Sequence, residues 1–434
     1  MIERAARPAS PLRALPRGVW VLGLVSLCMD VSSEMIHALL PVFLVSTLGA
    51  SALAVAWIEG VAEATASVAK LFSGALSDAW GRRKPLLALG YGLAAATKPL
   101  FPLAAAPAHV FVARFVDRVG KGLRGAPRDA LIGDLTPPAL RGAGYGLRQA
   151  LDACGAVAGP LAALALMAWT GGDVRLVFSL AVIPAVASFA LVLLGVEDAA
   201  PEGGRARAPA SRAAARARLR LPFRRADLAA LGRPFAALLF VTALAGLARP
   251  SEAFLVLRAR DAGLALALVP LALVAMNLAY TLASYPAGAL SDRAGRRALL
   301  GAGFALLAAA DVLLALAPGV PLVLGGVALW GLHLGLTQGL FAALVADATP
   351  PALRGTAFGV FHLVTGAATL AASLLAGALW EASGPPAAFA ASAALATLTA
   401  LALPLLRPPR SAWPERAGAK LPSGLGDTRR ARGA

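Results

Sequence analysis

The chain has 434 residues, of which 59% are hydrophobic and 15% charged, with a mean hydropathy of +0.73. A soluble domain carries about 25% charged residues, so this composition excludes an ordinary soluble protein and points to a membrane protein. The net charge of +17 would suit nucleic acid, but Arg and Lys cluster in the short links between alternate apolar runs, in one mid-chain segment and in the tails. That is the pattern the positive-inside rule gives cytoplasmic loops, and no nucleic-acid partner is expected.

Residues 1–18 read as a cytoplasmic segment with Arg4, Arg7, Arg13 and Arg17. The apolar run that follows is too long for a signal peptide, carries Asp30 and Glu34, and lacks a small-residue cleavage site, so it reads as a retained first span. Apolar runs of about 20 residues, each able to cross a core of about 30 Å, recur throughout. They predict spans at 19–47, 53–76, 86–106, 109–133, 144–168 and 175–196, then at 233–259, 264–287, 299–317, 321–347, 356–380 and 386–406. The fold class is therefore all-α: twelve transmembrane helices in two six-helix bundles, 19–196 and 233–406. Odd spans run outward, which places the basic links and both termini in the cytoplasm. Residues 197–232 form an Arg-rich cytoplasmic linker, either a basic helix on anionic headgroups or a solvated tether. Residues 407–434 are rich in Pro, Gly and Arg and are expected to be a disordered cytoplasmic tail. Cys28 and Cys154 lie inside predicted spans as small packing residues, and no disulfide is expected.

Two phrases repeat. Gly74-Ala-Leu-Ser-Asp78-Ala-Trp-Gly81-Arg82-Arg83 returns 214 residues later as Gly288-Ala-Leu-Ser-Asp292-Arg-Ala-Gly295-Arg296-Arg297. Asp134-Leu-Thr-Pro-Pro-Ala-Leu-Arg141-Gly142 returns at an offset of 213 as Asp347-Ala-Thr-Pro-Pro-Ala-Leu-Arg354-Gly355. One half of the chain is a copy of the other, which makes the two bundles pseudo-symmetric. In the loop, Gly74 lets helices approach and Gly81 permits a tight turn. Asp78, at a helix end, can bind a neighbouring cation or a helix N-terminus. Arg82 and Arg83 fix topology or take part in a gate, and Gly288, Asp292, Gly295 and Arg296 repeat these positions.

A charge at mid-bilayer costs about 2.5–3.5 kcal/mol on insertion scales, so each one must line a wet cleft or pair. At about 1.5 Å per residue, Asp30 lies about 16 Å from the cytoplasmic end of span 1 and Lys121 about 18 Å from the outer end of span 4. Both are near the midplane, and Arg118 is one turn further out. Asp30, Glu34 and His37 share one helical face, as do Glu59 and Glu63. Asp117 and Lys121 are spaced to pair with each other, and so are Arg148 and Asp152, while Lys98 either meets a carboxylate or snorkels. Any one of these pairs could be a plain structural lock. In the second half Glu63 aligns with Asn277 and Glu59 with Leu273, leaving Glu252 and Asp311. The first half is therefore expected to carry the ion chemistry.

The repeated loop, placed twice after the second span of a six-span half, resembles the signature loop of the major facilitator superfamily. In that family the loop aspartate tethers the halves. The resemblance implies that Asp78 faces the start of span 11 near Thr356, with Arg128 as a candidate partner. Span 4 reads Arg118-Val-Gly-Lys121-Gly122-Leu-Arg-Gly125. It is similar to the Arg-x-x-Gln-Gly-x-Gly motif of proton-coupled members, with Lys121 in the glutamine place. Gly155-Ala-Val-Ala-Gly159-Pro160 in span 5 is similar to the Gly-x-x-x-Gly-Pro motif of the drug:proton antiporters. Further stretches, among them Asp30-Val-Ser-Ser-Glu34-Met-Ile-His37, resemble a bacterial subgroup of the superfamily with no settled substrate.

The resemblance implies a secondary transporter of a small solute, working by alternating access in the bacterial inner membrane. Spans 1 and 4 would line its cavity. Proton coupling and translocation are assigned to Asp30, Glu34, Glu59, Glu63, Arg118 and Lys121. The substrate cavity is assigned to His37, Arg114, Asp117, Arg249, Glu252, Asn277, His333, Gln338 and His362. Proton-coupled efflux is the first reading and uptake of a small polar or anionic metabolite the alternative, with a non-transporting membrane sensor as a third. No nucleophile–base set, metal-ligand cluster or Gly-Lys-Ser/Thr phosphate loop occurs in the sequence. Neither an enzyme, a metal nor a cofactor is expected; the energy source would be a proton gradient, and the protein a monomer.

Overall fold

A computed structural model describes residues 13–80, 82–137, 140–198, 225–349 and 353–406, and every regular element among them is helical. The first half holds α1 (Arg17–Thr47), α2 (Ala52–Trp80), α3 (Lys84–Thr97), α4 (Pro107–Leu135), α5 (Arg141–Trp169) and α6 (Val174–Gly195). The second holds α7 (Arg225–Leu247), α8 (Leu271–Ala294), α9 (Arg296–Leu316), α10 (Val320–Ala348), α11 (Arg354–Ser383) and α12 (Pro385–Ala402). This is the twelve-helix, six-plus-six arrangement. Among the described residues nine helical stretches are long and apolar enough to span a bilayer. The other three crossings depart from that pattern: α3 has only 14 residues, α4 is crowded with charge, and α7 is divided.

The departures have local causes. The predicted third span, 86–106, stops being α-helical at a 3-10 turn, Lys98–Leu100. Pro99 and Pro102 remove backbone donors there, and Pro99 biases Lys98 away from helical geometry. The seventh crossing is not the continuous 233–259 helix expected. It breaks after Leu247 around Pro250 and resumes as Ala253–Asp261, while Gly232, with φ 70°, divides its first turns from the rest. α2 and α8 run further than their apolar stretches, so Ser77 and Asp78 sit in a last helical turn, not in a loop. α8 ends at Gly295, whose φ of 81° is the left-handed value that favours glycine.

Within the first half α1 packs on α5 and α6, α2 on α4, and α3 on α4 and α6. In the second half α8 packs on α10, α9 on α10 and α12, and α7 on α11 and α12. The halves meet chiefly through α2 against α11 and α5 against α8, the two contacts that a two-fold relation exchanges, and the end of α1 also touches Ala253–Asp261. Small residues bring α2 and α11 together: Gly60 faces Leu370 and Ser373, Gly366 faces Ser67, and Gly377 faces Ala56.

At the end away from the repeated loops the seam is closed. Leu53 N–H donates to Glu381 Oε1 at 2.8 Å, and Leu40–Val42 of the first half packs on Ala253–Asp261 of the second. A cavity of about 430 Å³ opens there, lined by Ser51, Leu257, Arg260, Asp261, Trp380 and Glu381 among others. At the loop end the two repeated phrases are joined in each half: Arg83 Nε lies 2.7 Å from Asp134 Oδ2, and Arg296 pairs with Asp347. Gly81, the side chains of Asp78 and Asp292, the surroundings of Gly74 and Gly288, residues 199–224 and residues 407–434 lie outside the described residues. The expected gate contact of Asp78 falls among them.

Candidate functional site

α2 and α4 run in the same direction side by side. Glu59 and Glu63 are one turn apart on α2, and Arg114 and Arg118 are one turn apart on α4, so equal helical rise brings them together as two rungs. Arg114 makes two hydrogen bonds to Glu59, from Nε to Oε1 at 3.0 Å and from Nη2 to Oε2. Arg118 Nη1 lies 3.3 Å from Glu63 Oε1. The Glu59–Arg114 rung is sealed, whereas the Glu63 side chain is 39% exposed. His37 extends the first rung to α1: its Nε2 is 3.6 Å from Glu59, and its Nδ1 is 3.7 Å from Glu34.

Asp117 departs from the expected pairing with Lys121. It bonds instead to Lys98 at 3.1 Å, and Lys98 also donates to Ser33 Oγ at 3.0 Å. One residue along a helix is about 100° of rotation, so Asp117 faces α3 while Arg114 and Arg118 face α2. This buried pair locks α3 to α4 and does not line the cleft. Lys121 is exposed and makes no ion pair among the described residues.

The small-residue motif of α5 seats the acidic face of α1. A Cβ added at Gly155 would stand 2.8 Å from Asp30 Cβ, and one added at Gly159 would stand 2.5 Å from Glu34 Cβ. Pro160 follows inside the helix. Asp30 makes no hydrogen bond or ion pair among the described residues; its charged neighbours are Asp152, Lys121, Arg128 and Arg124. Toward the loop end, Arg148 pairs with Asp152 at 2.7 Å, as its spacing suggested. Arg128 reaches Ser26 at 2.7 Å, Asp129 at 3.2 Å and Asp152 at 3.7 Å.

From the second half Glu252 faces this cluster, with His37, Glu34, Glu63 and Lys121 as its charged neighbours. Other positions expected in the pocket are engaged elsewhere. Asn277 donates to Ala156 O at 2.8 Å and ties α8 to α5. His333 is 0% exposed, with Nδ1 2.7 Å from Gly303 O and its ring against Phe304, so it is a packing residue between α9 and α10. Arg249 donates to Ala245 O at 3.1 Å. His362 packs on Phe361, and Gln338 is exposed on α10.

Sequence reasoning passed over Tyr91 and Arg124, which stack at 4.7 Å where α3 crosses α4. The signal was present: Lys98, just past the end of α3, stands seven residues from Tyr91, and both turn to α4. No cluster of potential metal ligands occurs among the described residues. The arrangement gathers ionisable side chains of α1, α2 and α4 into one cluster inside the first bundle.

The chain matches the family model of the Major Facilitator Superfamily over residues 22–257 and 238–432. An uncharacterised MFS-type transporter of Methanocaldococcus jannaschii is 28% identical over 398 residues, covering 90% of this chain and 95% of that protein. Multidrug resistance protein MdtH of Yersinia pestis is 31% identical over 146 residues, 32% of this chain and 36% of that protein. Among solved structures, that of the human organic anion transporter MFSD10 matches with a TM-score of 0.63 at 19% identity, covering 91% of this chain and 100% of that one. At that identity the likeness shows the fold alone. With the repeated half, the twelve crossings and the family model in agreement, the chain belongs to the major facilitator superfamily and is a multi-pass membrane transporter of small molecules, not an enzyme.

Proposed function

We propose that this carrier is a proton-coupled exporter of a small solute, alternating access between the bundles 19–196 and 233–406 around a midplane site. It would act as a monomer in the bacterial inner membrane with both termini cytoplasmic. The observation that carries this reading is the charged cluster of the first half, in which Glu34 and Glu59 share His37 and the half-exposed Glu63 meets Arg118, one turn from Lys121, which makes no ion pair among the described residues. A carboxylate's hold on its proton depends on the cations beside it. Rocking that moves Glu252 away from Lys121 alters that hold on one side of the membrane and restores it on the other. Asp30 and Glu34 are the first-choice proton carriers, because neither is locked to an arginine. Export over uptake is supported by the seating of α1 on Gly155 and Gly159, with Pro160 next in the same helix, and by the partial likeness to a multidrug resistance protein.

One observation favours uptake of an anionic metabolite as a second reading. Lys121 is exposed and makes no ion pair among the described residues, one turn from Arg118, so one cationic group is open to an anion beside a second that Glu63 already holds. Transport in proteoliposomes under an imposed pH gradient, with a solute library, separates the two by direction. Glu34→Gln and Asp30→Asn should abolish the coupled flux. Variants that moved solute and dissipated the gradient like the native chain would refute the proton assignment.

A further inference from the structure

Away from the cleft, one acidic side chain has neither a charged partner nor any exposure. Asp311, on α9, is 0% exposed, and its Oδ1 has no hydrogen-bond partner. Its Oδ2 meets the Ser392 hydroxyl of α12, and the same hydroxyl oxygen lies 2.7 Å from the carbonyl oxygen of Ala248. Ala248 stands at the break in the seventh crossing. Among the described residues no backbone N–H reaches its carbonyl, because the helix does not continue past Pro250.

Counting hydrogens fixes the state of the acid. A serine hydroxyl has one hydrogen to give. Were Asp311 ionised, it would take that hydrogen. The Ser392 and Ala248 oxygens would then face each other at 2.7 Å with nothing between them, and the carbonyl would be buried and unsatisfied. With a proton on Asp311 the chain closes: Asp311 Oδ2–H donates to Ser392 Oγ, and Ser392 Oγ–H donates to Ala248 O.

The surroundings agree. α12 carries no titratable side chain. On α10, His333 is bonded to Gly303 O. On α8, Tyr280 has the Ser284 hydroxyl as its neighbour. On the seventh crossing, Arg249 donates to Ala245 O, and Arg258 donates to Leu314 O and Ala317 O and pairs with Asp261. None of these cations pairs with Asp311. The repeat sharpens the contrast. Lys98 stands at the equivalent of Asp311 and has Asp117 as counter-ion, whereas the positions equivalent to Asp117, Trp330 and Gly331, carry no charge.

We infer that Asp311 is a proton-binding site of the second half, and that its proton, acting through Ser392, holds the break of the seventh crossing against α12. The inference goes beyond the coupling role proposed for Asp30 and Glu34 and does not depend on it. Loss of the proton would release the Ala248 carbonyl and free the segment that leads to Glu252.

The test is infrared spectroscopy and thermal unfolding of the purified full-length protein in nanodiscs at neutral pH. The native chain should show a carboxylic-acid C=O band that Asp311→Asn removes and Ser392→Ala shifts. Asparagine can make the donor bond of the neutral acid, so Asp311→Asn should unfold at the native temperature, and Ser392→Ala at a lower one. An acid band unchanged in both variants would overturn the inference. So would an Asp311→Asn chain that cannot be recovered folded when Asp311→Glu can, because the site would then need a carboxylate. Neither readout uses a transported solute, so their failure is distinct from failure of the proposed export.

Discussion

Glu34 rests directly on Gly159: a side-chain carbon added to the glycine would lie 2.5 Å from Glu34 Cβ and 2.9 Å from Val31 O. A motif legible in one helix is thus the seat of an ionisable residue in another. Gly159→Ala should push α1 off α5 and cost about 1–3 kcal/mol as overpacking. Thermal unfolding in detergent measures it. Gly146→Ala, on the same helix with nothing within 4 Å, should be neutral or stabilising, because alanine favours helix by about 1 kcal/mol.

The Lys98–Asp117 pair is buried on both sides, at 2% and 3% side-chain exposure. Removing one partner strands the other, so Lys98→Met should destabilise the protein by about 3–5 kcal/mol. Replacing both, with Lys98→Met and Asp117→Leu together, should recover most of that loss. A double variant no more stable than the single one would show that the ions do more than lock α3 to α4.

Glu381 caps the start of α2 from the opposite half through Leu53 N–H. Glu381→Ala should loosen the far end of the seam, so that a cysteine placed at Leu257 reacts faster with an impermeant thiol reagent. Glu381→Gln keeps a carbonyl oxygen for the bond and should react at a rate nearer to that of the native chain.

The loop-end ion pairs Arg83–Asp134 and Arg296–Asp347 are partly exposed. Asp347→Asn should therefore cost only about 0–1 kcal/mol of stability, and less in high salt. Unfolding curves at low and high ionic strength check this.

The twelve crossings, the copied half and the one-face spacing of Asp30, Glu34 and His37 could be read from the sequence, because apolar run length and helical period are local properties. The rungs Glu59–Arg114 and Glu63–Arg118 were half legible: their spacing was visible, but not that α2 and α4 lie side by side in register. Asp117 was given the wrong partner because a choice between Lys121 on its own helix and Lys98 on the next is decided by helix rotation, which no single stretch encodes. The span 233–259 was expected to run unbroken, although Pro250 lies within it. A proline bends or breaks a span according to what can satisfy the freed carbonyl, and that group, Ser392, lies 144 residues away. His333 looked like a pocket residue for the same reason: Phe304 and Trp330 enclose it from elsewhere in the chain.

The two flanks of the molecule are unequally fastened. Along one, α2 and α11 touch from Leu53 and Glu381 down to Ser67 and Gly366. Along the other, the one hydrogen bond between α5 and α8 among the described residues is that of the Asn277 amide. Were the halves to rock, the longer flank would be the natural hinge and the amide bond of Asn277 the first contact to part.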